Sequence, residues 1–308
     1  MSASNGFSPP PDQAPLWTTD AVESLGLHWQ RHQRLSDQPP VHLVLLHGTG
    51  ADSSSWDALM PHWPLDWSVW VVDLPGHGSS PSPARGEAMG VREMGLSLAR
   101  LLASSRVEPG LVVLVGHSAG AAVALQTLVS QPATPHPHKP WRALGLAPSL
   151  IVPPALYTLA LGPVVAPVLL SGPSLRLLEA SCRLPGVLEA VIRSTGTVLP
   201  QTRTDAMAAL LRTPGHLEGA LRFMADTQLE SLLQASACVA GKVELLAAAD
   251  DPWIPFRQIE SAAARFLPGA RLSQWPHGGH IFHEQQPRDC AAWVEARIRY
   301  WLAACTAE

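Results

Sequence analysis

Leu111-Val112-Val113-Leu114-Val115-Gly116-His117-Ser118-Ala119-Gly120-Ala121-Ala122-Val123-Ala124-Leu125 is where the architecture is written most plainly. Five apolar residues in a row, without alternation, are the pattern of a strand buried on both faces. The Ala/Leu/Val-rich stretch Ala119 to Val129 then reads as a helix packed between a sheet and solvent. Between the two, Gly116-His117-Ser118-Ala119-Gly120 fits G-x-S-x-G. Flanking glycines relieve crowding at a tight strand-to-helix turn, and the serine is held there in a strained conformation with its oxygen exposed at the helix N-terminus.

Similar runs lie on either side. Val41 to Leu46 ends in His47-Gly48-Thr49-Gly50, and Ser68 to Asp73 ends in Leu74-Pro75-Gly76-His77-Gly78. Leu25 to Gln30 is an early strand candidate and Arg142 to Ala147 a weaker fourth strand; Gly90 to Ser104 carries apolar residues at helical spacing. Strands alternating with helices argue for a parallel sheet covered on both faces. The alternation stops at about residue 148. Val243 to Ala248 and Arg271 to Trp275 resume the strand pattern, and Pro287 to Leu302 is the last helix. The expected fold class is therefore α/β. A mostly parallel central sheet has helices on both faces, a core of residues 21–147 and 239–308, a helical cap inserted over 148–238, and a flexible arm over 1–20.

A serine hydroxyl needs a base, and in doubly wound hydrolases the partners follow in the order Ser, acid, His. Asp250-Asp251-Pro252-Trp253-Ile254-Pro255 and His277-Gly278-Gly279-His280 each follow a strand. Asp251 is the favoured acid, because only from it does the sequence read D-x-x-I-P; the other aspartate reads as a turn or capping carboxylate. His280 is the favoured base, with His277 and His283 as rivals. The three stand at i, i+3 and i+6, but Gly278-Gly279 inside the run disfavours a helix presenting metal ligands. Oxyanion donors are expected from the backbone N–H groups of Thr49 and Ala119. Asp73 to Ser80 reads as a structural turn, with no catalytic role for His77.

Composition narrows the field. Hydrophobic residues make up 46% and charged residues 15%, enough apolar material for a large core and unlike a disordered chain. Lys+Arg number 21 against Asp+Glu 25, so no basic surplus exists for nucleic acid. The four cysteines, at 182, 238, 290 and 305, are too far apart for a Cys-rich zinc site and fit a reducing compartment. The N-terminus lacks the pattern of a secretory signal. No charge occurs from Ala143 to Leu175, yet prolines at 148, 153, 154, 163, 167 and 173 argue against a spanning helix there. An apolar cap, a pocket lining or a surface touching a membrane is the alternative. No cofactor motif is present and no metal set is expected.

Together these motifs resemble the α/β-hydrolase superfamily over residues 25–303. Ser118, where the dehalogenase and epoxide hydrolase branches carry aspartate, points to a Ser-His-Asp triad. Further details resemble the BchO family. These are His47-Gly48-Thr49-Gly50-Ala51 with Trp56 and Leu59-Met60-Pro61, Thr195-Gly196, His216 to Leu221 with Met224-Ala225, and Gly279-His280-Ile281-Phe282-His283-Glu284. Two departures are Asp226-Thr227-Gln228, where the family usually carries Trp-Asp, and Gln285, where it has a second acid. The resemblance implies a place in bacteriochlorophyll biosynthesis, association with magnesium chelatase, and a lipophilic, tetrapyrrole-related substrate. It also implies a cytoplasmic location at the periphery of the photosynthetic membrane. It leaves open a non-catalytic accessory protein or tetrapyrrole carrier, and a C–C hydrolase or lyase using the same triad.

Overall fold

The computed structural model describes residues 18–24, 27–33, 39–64, 66–103, 109–131, 140–151, 166–184 and 186–305. Its strands are β1 (Thr18–Ser24), β2 (Leu27–Gln33), β3 (Val41–Leu46), β4 (Ser68–Val72), β5 (Leu111–His117), β6 (Trp141–Leu146), β7 (Val243–Ala248) and β8 (Arg271–Trp275). They form one sheet in the order β1-β2-β4-β3-β5-β6-β7-β8. β1 with β2 and β2 with β4 pair antiparallel; every other pairing is parallel.

Burial on both faces explains the unbroken apolar runs. Along β3, Val44 and Leu46 enter one core layer while Val41, Leu43 and Leu45 enter the other. The first layer is closed by α1 (Val91–Ala103) and α2 (Ala119–Val129), through Met94, Leu98, Val123 and Leu128. The last helix, Pro287–Cys305, closes the second through Val294, Ile298 and Trp301, joined by Trp56, Trp63 and Trp67. Each fully buried aliphatic side chain contributes about 1.5–3 kcal/mol, so these layers dominate the stability.

Between β6 and β7 the described residues contain helices and no strand. They are α3 (Ala166–Leu169), α4 (Gly172–Ser181), α5 (Val187–Ser194), α6 (Gln201–Leu211), α7 (His216–Asp226) and α8 (Leu229–Ala235). Leu232 and Leu233 of α8 already lie in the first core layer, so the chain rejoins the sheet before β7 begins. Residues 152–165, the centre of the uncharged stretch, and 132–139 lie outside the described residues. No described helix is long and apolar enough to cross a membrane.

The structure adds two elements to the expectations. β1 takes up the last residues of the expected arm; Thr18 to Ser24 is a polar edge strand, held by pairing with β2 and carrying no apolar run. A helix α9 (Phe256–Phe266) starts after Pro255 and buries only Ile259 and Ala263, a stripe too narrow to stand out in the sequence. The short α10 (Phe282–Gln285) and the long last helix, α11 (Pro287–Cys305), complete the order.

β3 sends the chain to β4 on one side, whereas β5 lies on its other side. At such a topological switch the connections diverge, leaving a crevice at the carboxyl ends of the strands. His47 to Gly50 and Ser118 stand at that edge.

Candidate active site

Ser118 sits at φ 51°, ψ −116°, a left-handed conformation that side chains rarely adopt. Its neighbours explain how it is held. A Cβ on Gly116 would lie 2.2 Å from the Gly120 carbonyl oxygen, and one on Gly120 would lie 2.1 Å from that of Leu46. Both positions therefore need glycine for β5, α2 and β3 to approach. The Ser118 N–H donates to Leu146 O at 2.9 Å, tying the turn to β6.

The three residues expected as a triad are brought together. Ser118 Oγ lies 3.0 Å from His280 Nε2, and His280 Nδ1 lies 2.8 Å from Asp251 Oδ2. Asp251 is oriented from behind, its Oδ1 accepting the N–H groups of Trp253 and Ile254 at 2.8 and 2.9 Å. Because a carboxylate only accepts, Nδ1 of His280 carries the proton and Nε2 faces the serine hydroxyl with its lone pair. Asp251 and His280 are both buried, whereas Ser118 is half-buried.

The remaining candidates have other neighbours. Asp250 accepts the N–H groups of Gly278 and Gly279 at 3.2 and 3.0 Å, a turn carboxylate holding the loop that carries His280. His277 faces Gln286, and His283 packs against Trp56 and His117 at ring distances of 5.2 and 4.2 Å. His277 thus stands apart, while His280 and His283 both pack against the His117 ring and only His280 reaches Ser118 and Asp251. Among the described residues no set of three or more His, Cys, Asp or Glu side chains is arranged to hold a metal ion.

Thr49 lies in the loop after β3, and Ala119 is the first residue of α2, whose N–H has no intrahelical partner. Neither N–H meets an acceptor among the described residues. The Thr49 loop is braced from two sides. His47 accepts the Leu74 N–H at Nε2 (2.9 Å) and so donates from Nδ1 to Gly48 O (2.8 Å). His216, at the start of α7, approaches Gly50 O through Nε2 (3.1 Å) and accepts the Gly78 N–H at Nδ1 (3.3 Å).

Residues 43–293 match the family described as "Alpha/beta hydrolase family". The chain belongs to that family. It is 35% identical over 251 residues to the "Magnesium-chelatase 30 kDa subunit" of Rhodobacter capsulatus, covering 79% of this chain and 81% of the relative. The resemblance to the BchO family read from the motifs agrees with this relative. A shorter match, 36% identical over 91 residues, covers 30% of this chain and 32% of "Pimeloyl-[acyl-carrier protein] methyl ester esterase" of Cronobacter sakazakii. Among solved structures, MenH from S. aureus is similar in fold, with a TM-score of 0.66 at 17% identity, covering 89% of this chain and 98% of that one.

In this alpha/beta hydrolase the histidines around the triad are held neutral. Burial pushes His283 down to about 3, reinforced by the positive potentials of His280 and Arg203. Burial lowers His117 well below the usual range; its Nε2–H donates to the His280 carbonyl at 2.9 Å. Burial likewise takes His77 to about 3, and its Nδ1–H donates to Pro75 O at 2.9 Å, a structural role. Asp73 differs: burial favours its neutral form, but the His28 hydrogen bond, His47 and the N–H groups of Ser79 and Ser53 outweigh this and hold it at about 2.

Two parts of the neighbourhood escaped sequence reasoning. Arg203 of α6 forms a bidentate pair with buried Glu284 and also reaches the hydroxyls of Ser54 and Ser55. A cation in an inserted helix gives no hint of a partner 81 residues on. His216 stood in a recognised motif, but its two backbone partners only become visible in three dimensions.

Proposed function

We propose that the chain is a serine hydrolase acting on an ester or related carbonyl bond of a lipophilic substrate, within bacteriochlorophyll biosynthesis. The observation that carries this is the unbroken hydrogen-bond chain from Ser118 Oγ through His280 to Asp251. Ser118 Oγ attacks the carbonyl carbon while its proton passes to His280 Nε2. Asp251 stabilises the imidazolium and keeps the tautomer correct. The N–H groups of Thr49 and Ala119 receive the oxyanion. Collapse expels the alcohol, which takes the proton from His280, and water then hydrolyses the acyl-enzyme by the same route reversed. In this reading no metal or cofactor is required, and residues 148–238 act as a cap over the crevice.

Membership of the alpha/beta hydrolase family and the partial match to an esterase support a hydrolase. The likeness to a magnesium-chelatase subunit supports association with the chelatase; the pathway and a place in the cytoplasm beside the photosynthetic membrane are part of the same proposal. A fluorophosphonate probe tests the reading. The wild type is expected to be labelled, and Ser118→Ala and His280→Ala are expected not to be. Equal labelling of Ser118→Ala sinks it.

The same relative favours a second reading, a non-catalytic accessory protein or tetrapyrrole carrier. That reading expects saturable binding of protoporphyrin or its magnesium complex at micromolar concentration, unchanged in Ser118→Ala. It has no use for an activated serine, so labelling and titration separate the two.

A further inference from the structure

The loop that carries His280 has few internal hydrogen bonds, so the groups that hold it determine where the imidazole points. Asp250 binds the N–H groups of Gly278 and Gly279, and His117 donates to the His280 carbonyl. Gln286 Nε2 donates to His277 O at 2.9 Å, and further contacts come from a short turn of the inserted helical segment, Thr195-Gly196-Thr197, just after α5. The His280 N–H donates to Thr195 O at 2.8 Å. The Thr197 hydroxyl donates to Gly278 O at 2.9 Å and accepts the Ile281 N–H at 2.9 Å. Thr195 and Thr197 are each 2% exposed, so water does not substitute for these bonds. The two backbones meet without room for a side chain: a Cβ on Gly279 would lie 2.4 Å from Thr195 O. On the solvent side, Val198 N–H donates to Gln285 Oε1 at 2.9 Å, fastening the end of the turn to α10.

We infer that Thr197 is a positioning residue for the catalytic base, so that the inserted segment does not merely cover the site but completes it. The inference rests on the proposed role of His280. One hydroxyl bridges the residue two before His280 and the residue after it, and so fixes both ends of the dipeptide that aims the ring. Losing it leaves Gly278 O and Ile281 N–H buried and unpaired, and the loop relaxes to recover partners. A displacement of the imidazole by a fraction of an ångström breaks the 3.0 Å contact to Ser118 Oγ before it unfolds anything. A misplacement of about 1 Å costs up to a hundredfold in rate.

Thr197→Val keeps the shape and removes the hydroxyl; Thr197→Ser keeps the hydroxyl. Fluorophosphonate labelling gives a maximal rate and a half-saturating concentration for each. The expected result for Thr197→Val is a maximal rate lowered about tenfold or more, with half-saturation unchanged and the melting temperature still showing a folded protein. Thr197→Ser is expected to return the rate to within about twofold. Gln285→Ala loosens the same turn from the exposed side, without a buried unpaired group, and is expected to show the same pattern at about a threefold loss if Thr197→Val does not fold. A second measurement does not depend on catalysis. The proton of the His280 Nδ1–H···Asp251 bond, assigned by its absence from His280→Ala, is expected in wild type and Thr197→Ser and absent from Thr197→Val. Its persistence in folded Thr197→Val, or an unchanged labelling rate there, overturns the inference. Failure of the wild type to label, with that proton following the hydroxyl as expected, overturns the proposed hydrolase and leaves Thr197 only as the group that orients the His280 ring.

Discussion

Acid should destabilise this protein in steps that trace to individual histidines, and His283 offers the cleanest case. It is fully buried among Trp56, His117 and Phe282, and neither ring nitrogen has a hydrogen-bond partner among the described residues. Burial, with help from His280 and Arg203, lowers its pKa from 6.5 to about 3. The folded value is depressed, so the stabilising difference is present in full above pH 6.5 and is lost as pH falls towards 3. From pH 7 to pH 5 the unfolded chain takes up about 0.7 of a proton at this site and the folded chain almost none. The integrated loss is about 2 kcal/mol, with a slope near pH 5 of about 1.3 kcal/mol per pH unit. Total stability also reflects His77, which behaves alike, and Glu284, whose burial raises its pKa and works in the opposite sense. A difference measurement removes both. Urea unfolding followed by tryptophan fluorescence at pH 7, 6 and 5 would be compared for wild type and His283→Phe. The larger ring brings an overpacking cost of about 1–3 kcal/mol, but that cost does not depend on pH and cancels between pH values. The variant is expected to lose about 2 kcal/mol less than wild type between pH 7 and pH 5. Parallel curves would falsify the assignment, because they would mean that His283 binds a proton in the folded protein as readily as in the unfolded one.

The other expectations are shorter. Asp251→Asn keeps the shape but favours the wrong tautomer of His280, and turnover or probe labelling should fall by about three to four orders of magnitude without loss of fold. Ser118→Ala should remove labelling while leaving the melting temperature within a few degrees, since strain at φ 51° is relieved no worse by alanine than by serine. Arg203→Met strands the Glu284 carboxylate, 5% exposed in its side chain, and should cost about 3–5 kcal/mol in chemical denaturation. Adding Glu284→Gln to that variant should recover a large part of the loss, which a packing defect alone does not allow.

Legibility differed sharply between the sheet and what surrounds it. β3 and β7 lie where their apolar runs place them, because a strand buried on both faces has no alternative register to hide in. The edge strand β1 was unreadable for the converse reason: its residues are ordered by pairing with β2, and pairing leaves no hydrophobic trace. Ser118, Asp251 and His280 could be singled out because each follows a strand in a fixed order and carries its own local motif, and their side chains do meet. The choice of Asp251 over Asp250 rested on a register of prolines, and the geometry gives each aspartate a distinct task, one behind the imidazole and one beneath the glycines.

What remained hidden is the joint between the inserted helices and the site, and there is a physical reason for this. Arg203 with Glu284, His216 with Gly50 and Gly78, and Thr197 with Gly278 and Ile281 are all pairings between distant parts of the chain. In most of them one partner is a backbone group, which every residue possesses, so no residue type marks the place. Their effect is nevertheless specific. His216 braces the loop bearing Thr49, Thr197 braces the loop bearing His280, and Arg203 ties α6 to the helix turn just after His280. Helices attached in this way cannot swing away as a rigid body without disturbing the His280 loop or the Thr49 loop. The expectation is that substrate reaches Ser118 without α6 lifting from α10. A crosslink between α6 and α10, through cysteines at Arg203 and Glu284, should accordingly leave probe labelling within about twofold of the same variant under reducing conditions. A large loss on oxidation, with the serine still reactive after reduction, would mean that α6 does lift during access and that the three attachments are released together.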